Sequence, residues 1–298
     1  MRRLLLVIGT TIALFATINL LLHLFLQTGL RRYYCLYPAE VLVVGHSMSE
    51  MGIDRDLLEM HLGHSVAKYC MNGAGTADRL VMLKHYIEET GHKPKYVIYD
   101  VSARSFSLGL ADNSHALFYP FLSSPVIRDY LLKNISRNEY WARWLIPLTR
   151  YDDTRMGAVI RGYRGDWKCS SHRQINTKAF AVRLKNGDYW KINFDEASMR
   201  VFEETLAWLN AQEITCILVA LPCLDMLNAA QPVSYDKAMS YIQAMAGKYP
   251  HVHLHDMNGK LSSRHELFRD PIHLNREGQC LVTERLATFL KNNPVLSF

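Results

Sequence analysis

The 298-residue sequence has no CxxC pair and no dense cysteine framework. Its six cysteines, at 35, 70, 169, 216, 223 and 280, are too scattered to staple a small disulfide scaffold, so they are expected mostly as buried thiols. Cys216 and Cys223 flank an expected strand, and seven extended residues put them roughly 23 Å apart, beyond disulfide reach. No internal repeat and no low-complexity segment is visible. Acidic residues are missing from positions 1–32, which hold Arg2, Arg3, Arg31 and Arg32. Beyond that stretch 30 basic residues face 28 acidic ones, and no compact Lys/Arg block with interleaved aromatics occurs, so nothing calls for a nucleic-acid partner. With 49% hydrophobic and only 21% charged residues, the chain has ample material for a packed core, as one large α/β domain or two smaller ones.

What is present begins with Leu4–Leu26, 23 residues without a formal charge, long enough as a helix to cross a hydrocarbon core of about 30 Å. "LFLQTGLRRYY" is a poor signal-peptidase site, so residues 1–32 read as an uncleaved membrane anchor and 33–298 as the domain it carries. Asn19 and His23 dilute the segment; they are tolerated near one end of a span or pack against a membrane partner. Two arginines on each side tie the positive-inside count. The short N-terminal tail favours a cytoplasmic start and a domain outside the cytoplasmic membrane.

Past the anchor, "EVLVVG", "HSVAKYC" and "PKYVIYDVS" read as strands, with helices at "RDLLEMHLG" and "ADRLVMLKHYIEETG" that each stop at a glycine. A long middle stretch, about 104–194, is rich in Tyr, Trp and Arg and breaks this rhythm as an insertion. Alternation returns with "DEASMRVFEETLAWLNAQE", "ITCILVALP", "SYDKAMSYIQAMAGKYP", "HVHLHDM" and "NREGQCLVTERLATFLKNN". Strands alternating with helices call for a parallel sheet with right-handed crossovers. Ligands in such sheets sit beyond the strands' carboxyl ends, where Ser47, Asn72, Gly73, Ser102 and the loop at 270 should gather.

Ser47 follows the first strand directly. A serine hydroxyl is a weak nucleophile and needs a base, which in turn needs an acceptor to hold its tautomer; Asp270 and His273, three residues apart in "DPIHLN", offer both. Three blocks in this order, "VLVVGHSMS", "MNGAG" and "DPIHLNREG", resemble the SGNH/GDSL hydrolase superfamily. The N-terminal anchor, the long insertion and the late "LVALP" strand are similar to its membrane-anchored bacterial branch, which includes lipoteichoic-acid D-alanylation and alginate O-acetylation proteins. The resemblance covers most of 41–104 and 196–291. It implies a flavodoxin-like three-layer sandwich around a central parallel sheet, with Ser47 as nucleophile, His273 as base and Asp270 as its orienting acid. It also implies an oxyanion hole from the backbone N–H groups of Ser47 and Gly73, beside Asn72.

The sequence departs from the pattern twice. His46 stands where an acidic residue is usual, and the GxND block is replaced by "YDVSARSF", which leaves Ser102 or Arg104 as candidates for the third oxyanion donor. Other features have blander readings. His251, His253 and His255 alternate along a strand and have zinc-like spacing, but a polar strand face explains them without a further ligand, and no metal is expected. "NIS" at Asn134 matches a glycosylation sequon by pattern alone. "NEYWARWLIPLTRYDDTR" suits a glycan cleft or an amphipathic helix near the membrane. The expected protein is a membrane-anchored serine esterase or O-acyltransferase acting on acyl esters of a cell-envelope polysaccharide or related polymer. It needs no cofactor, and a polytopic membrane acyltransferase is a candidate partner. The competing expectation is a non-catalytic glycan-binding or scaffolding partner of such an acyltransferase.

Overall fold

The computed structural model describes residues 1–107, 114–169, 171–293 and 296. The chain forms two compact units, one of residues 1–36 with 115–166 and the other of 37–114 with 167–298. The stretch 104–194 thus contributes to both.

The second unit is built on five parallel strands: β1 (Val41–Gly45), β2 (Val66–Cys70), β3 (Tyr96–Val101), β4 (Thr215–Ala220) and β5 (Val252–Asp256), in spatial order β2-β1-β3-β4-β5. This is the flavodoxin-like order, whose direction of progression switches between β1 and β3. Every residue of β1, β2 and β3 is buried, which explains why their mostly apolar runs, interrupted by Lys68 and Asp100, lack a period. After the N-terminal helix α1 (Arg2–Tyr33), the crossovers begin with α2 (Ser47–Gly52), α3 (Arg55–Leu62) and α4 (Thr76–Thr90). Gly63 and Gly91 end α3 and α4 with φ of 73° and 61°, conformations that glycine adopts without strain.

Helices α5 (Pro125–Asn134), α6 (Arg137–Leu145) and α7 (Asp153–Arg164) belong to the first unit. The second unit resumes with α8 (Thr177–Lys185), α9 (Glu196–Ala211), α10 (Asp225–Ala229), α11 (Pro232–Gly247) and α12 (Arg276–Asn292). Val41, Val43, Ile98 and Ile217 share one core with Leu58 and Leu62 of α3 and Leu286 and Leu290 of α12. Helices α4 and α9 contact each other and the sheet strands β1 and β4. The result is three layers, helix on sheet on helix. All six cysteines are free thiols, five of them buried.

In the first unit α7 packs on the carboxyl-terminal half of α1. The contact is so close that a Cβ on Gly162 would lie 2.0 Å from the Gly29 carbonyl oxygen, and one on Gly29 would meet Val159 at 2.7 Å. Tyr163 stacks on Phe25 at 4.7 Å, and Gln27 donates to the Pro120 carbonyl at 2.9 Å. The two glycines are what let the helices touch. Gly162→Val is therefore expected to push α7 off α1 at a cost of about 1–3 kcal/mol, read as faster tryptic cleavage at Arg155, Arg161 and Arg164 in the full chain. Unchanged cleavage would mean that the two helices separate without consequence.

Candidate active site

Strand β1 delivers Ser47 to the carboxyl edge of the sheet at the switch point, where it is the first residue of α2. His46 caps that helix: its Nδ1 accepts from the Met48 N–H at 3.1 Å, as the oxygen of an acidic residue would. At the other end of α2, Lys68 from β2 reaches in and donates to the carbonyls of Glu50 at 2.7 Å and Ile53 at 2.5 Å. The turn that carries Ser47 is thus fixed at both ends.

Beneath the turn lies Asp100, buried at the end of β3. Its Oδ2 accepts the His46 N–H at 3.1 Å and the Ser49 N–H at 3.3 Å. Its Oδ1 pairs with Arg79 at 3.0 Å, and the same guanidinium donates to the Asp100 carbonyl at 2.7 Å. Arg79 is fully buried and lies 4.8 Å from the centre of the Tyr99 ring. Burial opposes ionisation of Asp100, but His46, Arg79 and the donated hydrogen bonds outweigh it and hold the carboxyl below its ordinary value. A Cβ on Gly45 would sit 2.4 Å from Asp100 Oδ2, so the glycine of "GHS" makes room for this carboxylate.

The loop before α12 supplies the remaining groups. Asn275 caps that helix by accepting from the Gly278 N–H at 2.9 Å and ties the loop down by donating to the Glu266 carbonyl at 2.7 Å. His273 Nε2 lies 2.8 Å from Ser47 Oγ, and His273 Nδ1 lies 2.8 Å from Asp270 Oδ2. Asp270 Oδ1 accepts the N–H groups of Ile272 at 3.1 Å and His273 at 3.0 Å. Burial pushes the Asp270 carboxyl up, but the His273 hydrogen bond, the charge of His273 and those backbone donors prevail and bring it down to about 2. An ionised Asp270 holds the proton on Nδ1 and leaves Nε2 to accept from the serine.

Gly73 follows β2, next to β1, with φ of 83°, a left-handed conformation that suits glycine. Asn72 beside it is exposed. Ser102 is turned to local structure: its N–H donates to Ser105 Oγ at 2.8 Å and its Oγ accepts from the Arg104 N–H at 3.2 Å. Arg104 is buried, and its three guanidinium nitrogens donate to the Trp190 carbonyl at 2.8 Å, Asn228 Oδ1 at 3.1 Å and the Leu227 carbonyl at 3.0 Å. Trp190 and Leu227, with Phe180 and Tyr189, wall a cleft of about 290 Å³ that opens beside Asp270 and His273. Arg104 therefore braces the cleft walls. His255 stacks face to face on Phe289 at 3.7 Å, a packing role for one of the three alternating histidines.

Asp100, Arg79, Tyr189 and Trp190 were not singled out by the sequence reading. The available signal was an aspartate inside "YVIYDV", where a strand buried on both faces has no reason to hold a carboxylate without a partner.

His46 gives the site a pH-dependent component. Burial, its largest influence, lowers it to about 4; Asp100 raises it, and Arg79 and His273 lower it. The unfolded chain takes up this proton near its ordinary value of 6.5, the folded chain only near 4. The stability is therefore fully present above about 6.5 and falls by up to about 3 kcal/mol as pH drops towards 4. Denaturant titrations at pH 7 and pH 5 should show this slope, and His46→Asn, which keeps a capping acceptor, should flatten it. An unchanged slope in the variant would assign the acid sensitivity to another group.

No protein-family model matches the chain, and no curated protein matches it. Solved structures do. They include the lipase/acylhydrolase from Enterococcus faecalis, at 13% identity over 85% of this chain and 95% of that one, with a TM-score of 0.43. The catalytic domain of Streptococcus pneumoniae peptidoglycan O-acetyltransferase A has 12% identity over 85% and 93%, with a TM-score of 0.40. A GDSL-like lipase from Bacteroides thetaiotaomicron has 10% over 83% and 87%, with a TM-score of 0.37.

Proposed function

We propose that this chain is a membrane-anchored serine esterase or O-acyltransferase acting on acyl esters of a cell-envelope polysaccharide or related polymer. The observation that carries the reading is the run of two 2.8 Å contacts from Ser47 Oγ through His273 to Asp270. Ser47 Oγ attacks the ester carbonyl while its proton passes to His273 Nε2. The negative charge that develops on the carbonyl oxygen falls to the N–H groups of Ser47 and Gly73. The tetrahedral species collapses as the alcohol leaves with the proton from Nε2, giving an acyl-serine. Water, or a glycan hydroxyl, then gives its proton to Nε2 and attacks the acyl group, and as the second tetrahedral species collapses Nε2 returns that proton to the departing Ser47 Oγ. The aromatic rings of Tyr189 and Trp190 beside the site favour a sugar substrate, since ring faces stack on pyranose C–H surfaces.

Helix α1 anchors the chain, with the second unit outside the cytoplasmic membrane. The side chains of Asn19, His23, Leu26, Leu30 and Tyr33 are buried in the first unit, and cleavage of a signal peptide would strip that unit of its longest helix. A second reading, a non-catalytic glycan-binding partner of a membrane acyltransferase, is favoured by one observation: Ser102 and Arg104, the candidates for the third oxyanion donor, are engaged in structural hydrogen bonds.

The test is turnover of 4-nitrophenyl acetate by the full chain in detergent, with and without a polysaccharide fragment. Nitrophenol release by the parent, absent from Ser47→Ala, supports an esterase, and acetyl groups appearing on the fragment extend it to transfer. Fragment binding without any turnover would support the scaffold instead.

A further inference from the structure

Within the first unit, helix α6 and the turn Pro147–Arg150 present an apolar surface that nothing in the chain's own unit covers. Trp141, Trp144 and Leu145 are 53%, 52% and 67% exposed, and Leu132, Ile146 and Ile160 add to them. We propose that this tip lies in the headgroup–acyl boundary of an anionic lipid bilayer and forms a second membrane attachment beside α1. The inference rests on the reading of α1 as a retained membrane span.

The depth follows from the contacts along α1. Leu148 donates its N–H to Asn19 Oδ1 at 3.1 Å, and His23 meets the Tyr151 hydroxyl at 2.7 Å and Arg150 at 3.2 Å, so the turn stands level with the carboxyl-terminal third of the apolar run, still within it. If the unit stood clear of the membrane, only Leu4–Ile18 would be left to cross it, ~22 Å at about 1.5 Å per residue, well short of a core of about 30 Å. Extending the span to Phe25 gives ~33 Å, and Leu20, Leu21, Leu22, Leu24 and Phe25 do keep roughly half of their surface free. With Phe25 at the boundary, the Asn19 level lies ~9 Å inside, the depth at which interfacial helices bury their apolar faces. Polar groups at that depth need protein partners, and Asn19 and His23 have them.

Charge selects the lipid. The first unit carries twelve Lys and Arg against five Asp and Glu, the second 22 against 23, so the whole positive excess of the chain belongs to the unit with the exposed tryptophans. Between α5 and α6, a cleft of about 390 Å³ is lined by Arg128, Arg137, Tyr140, Trp141 and Leu132. Two guanidinium groups face a headgroup phosphate there while Leu132 and Trp141 follow the acyl chain. Tryptophan and arginine together are the residues expected at a membrane interface.

The experiment uses the full chain in liposomes of phosphatidylglycerol and phosphatidylethanolamine, with no other protein present. The fluorescence difference between the parent and the Trp141→Phe/Trp144→Phe variant isolates the two indoles. Acyl-brominated phosphatidylglycerol should quench most of this difference, and aqueous acrylamide little of it. The reverse pattern overturns the proposal and makes the tip a face for a protein partner. Alkaline carbonate extraction, with intact-mass analysis of α1, reads the span separately. A chain that resists extraction with α1 intact but shows water-exposed tryptophans sinks only the tip proposal, whereas release of a chain lacking α1 sinks the anchor itself.

Discussion

His273→Ala is expected to lower kcat for ester cleavage on the order of 10⁴-fold or more, with KM nearly unchanged. The reason is local. Ser47 Oγ has His273 Nε2 at 2.8 Å as its proton acceptor. Asp270→Asn should cost a similar order, because an amide at 2.8 Å from Nδ1 no longer enforces the tautomer that leaves Nε2 free. Asp270 also supplies a check through pH. With its carboxyl brought down to about 2, it stays ionised through the ordinary carboxylate range, so the parent's pH–rate profile should show no break between pH 4 and 5. Asp270→Asn that kept most of its activity would remove the acid from the mechanism.

The second large effect is expected on stability. Asp100→Ala removes what is, among the described residues, the only charge paired with the fully buried Arg79 guanidinium, and leaving Arg79 uncompensated should cost about 3–5 kcal/mol. It also frees the N–H groups of His46 and Ser49 that flank the nucleophile, so whatever folds should react more slowly at Ser47. Denaturant unfolding of Asp100→Ala, Arg79→Leu and the double variant checks the first point. Because removing both partners leaves no buried charge, the double variant should be much less destabilised than the two single losses added together. Simple additivity would show that the pair does not act as a unit.

The contrast between Ser47 and Asp100 marks what was legible in the sequence. Ser47, Asp270 and His273 stand at ends of elements, where an apolar run stops abruptly and a polar group has no local reason to be, and the parallel sheet brings strand ends to one edge. The strands were readable because burial on both faces strips them of period. Asp100 sits inside such a run, and its partner Arg79 lies on α4, so only the fold reveals that the two meet. His46 reads as a departure from the pattern until its ring is seen to cap α2. The joining of residues 115–166 with α1 was likewise beyond reach, since the contacts of Asn19 and His23 span more than 120 residues and leave no periodic trace. Only the polar character of those two residues within an apolar run hinted that something would meet them.

The central claim is an activated Ser47, and the most direct measurement is intact mass after treatment of the full chain with a small fluorophosphonate, in parallel with Ser47→Ala and His273→Ala. The account predicts one covalent adduct on the parent, none on Ser47→Ala and much slower labelling of His273→Ala. A folded parent that stays unlabelled while the probe labels an unrelated serine esterase in the same tube would contradict it.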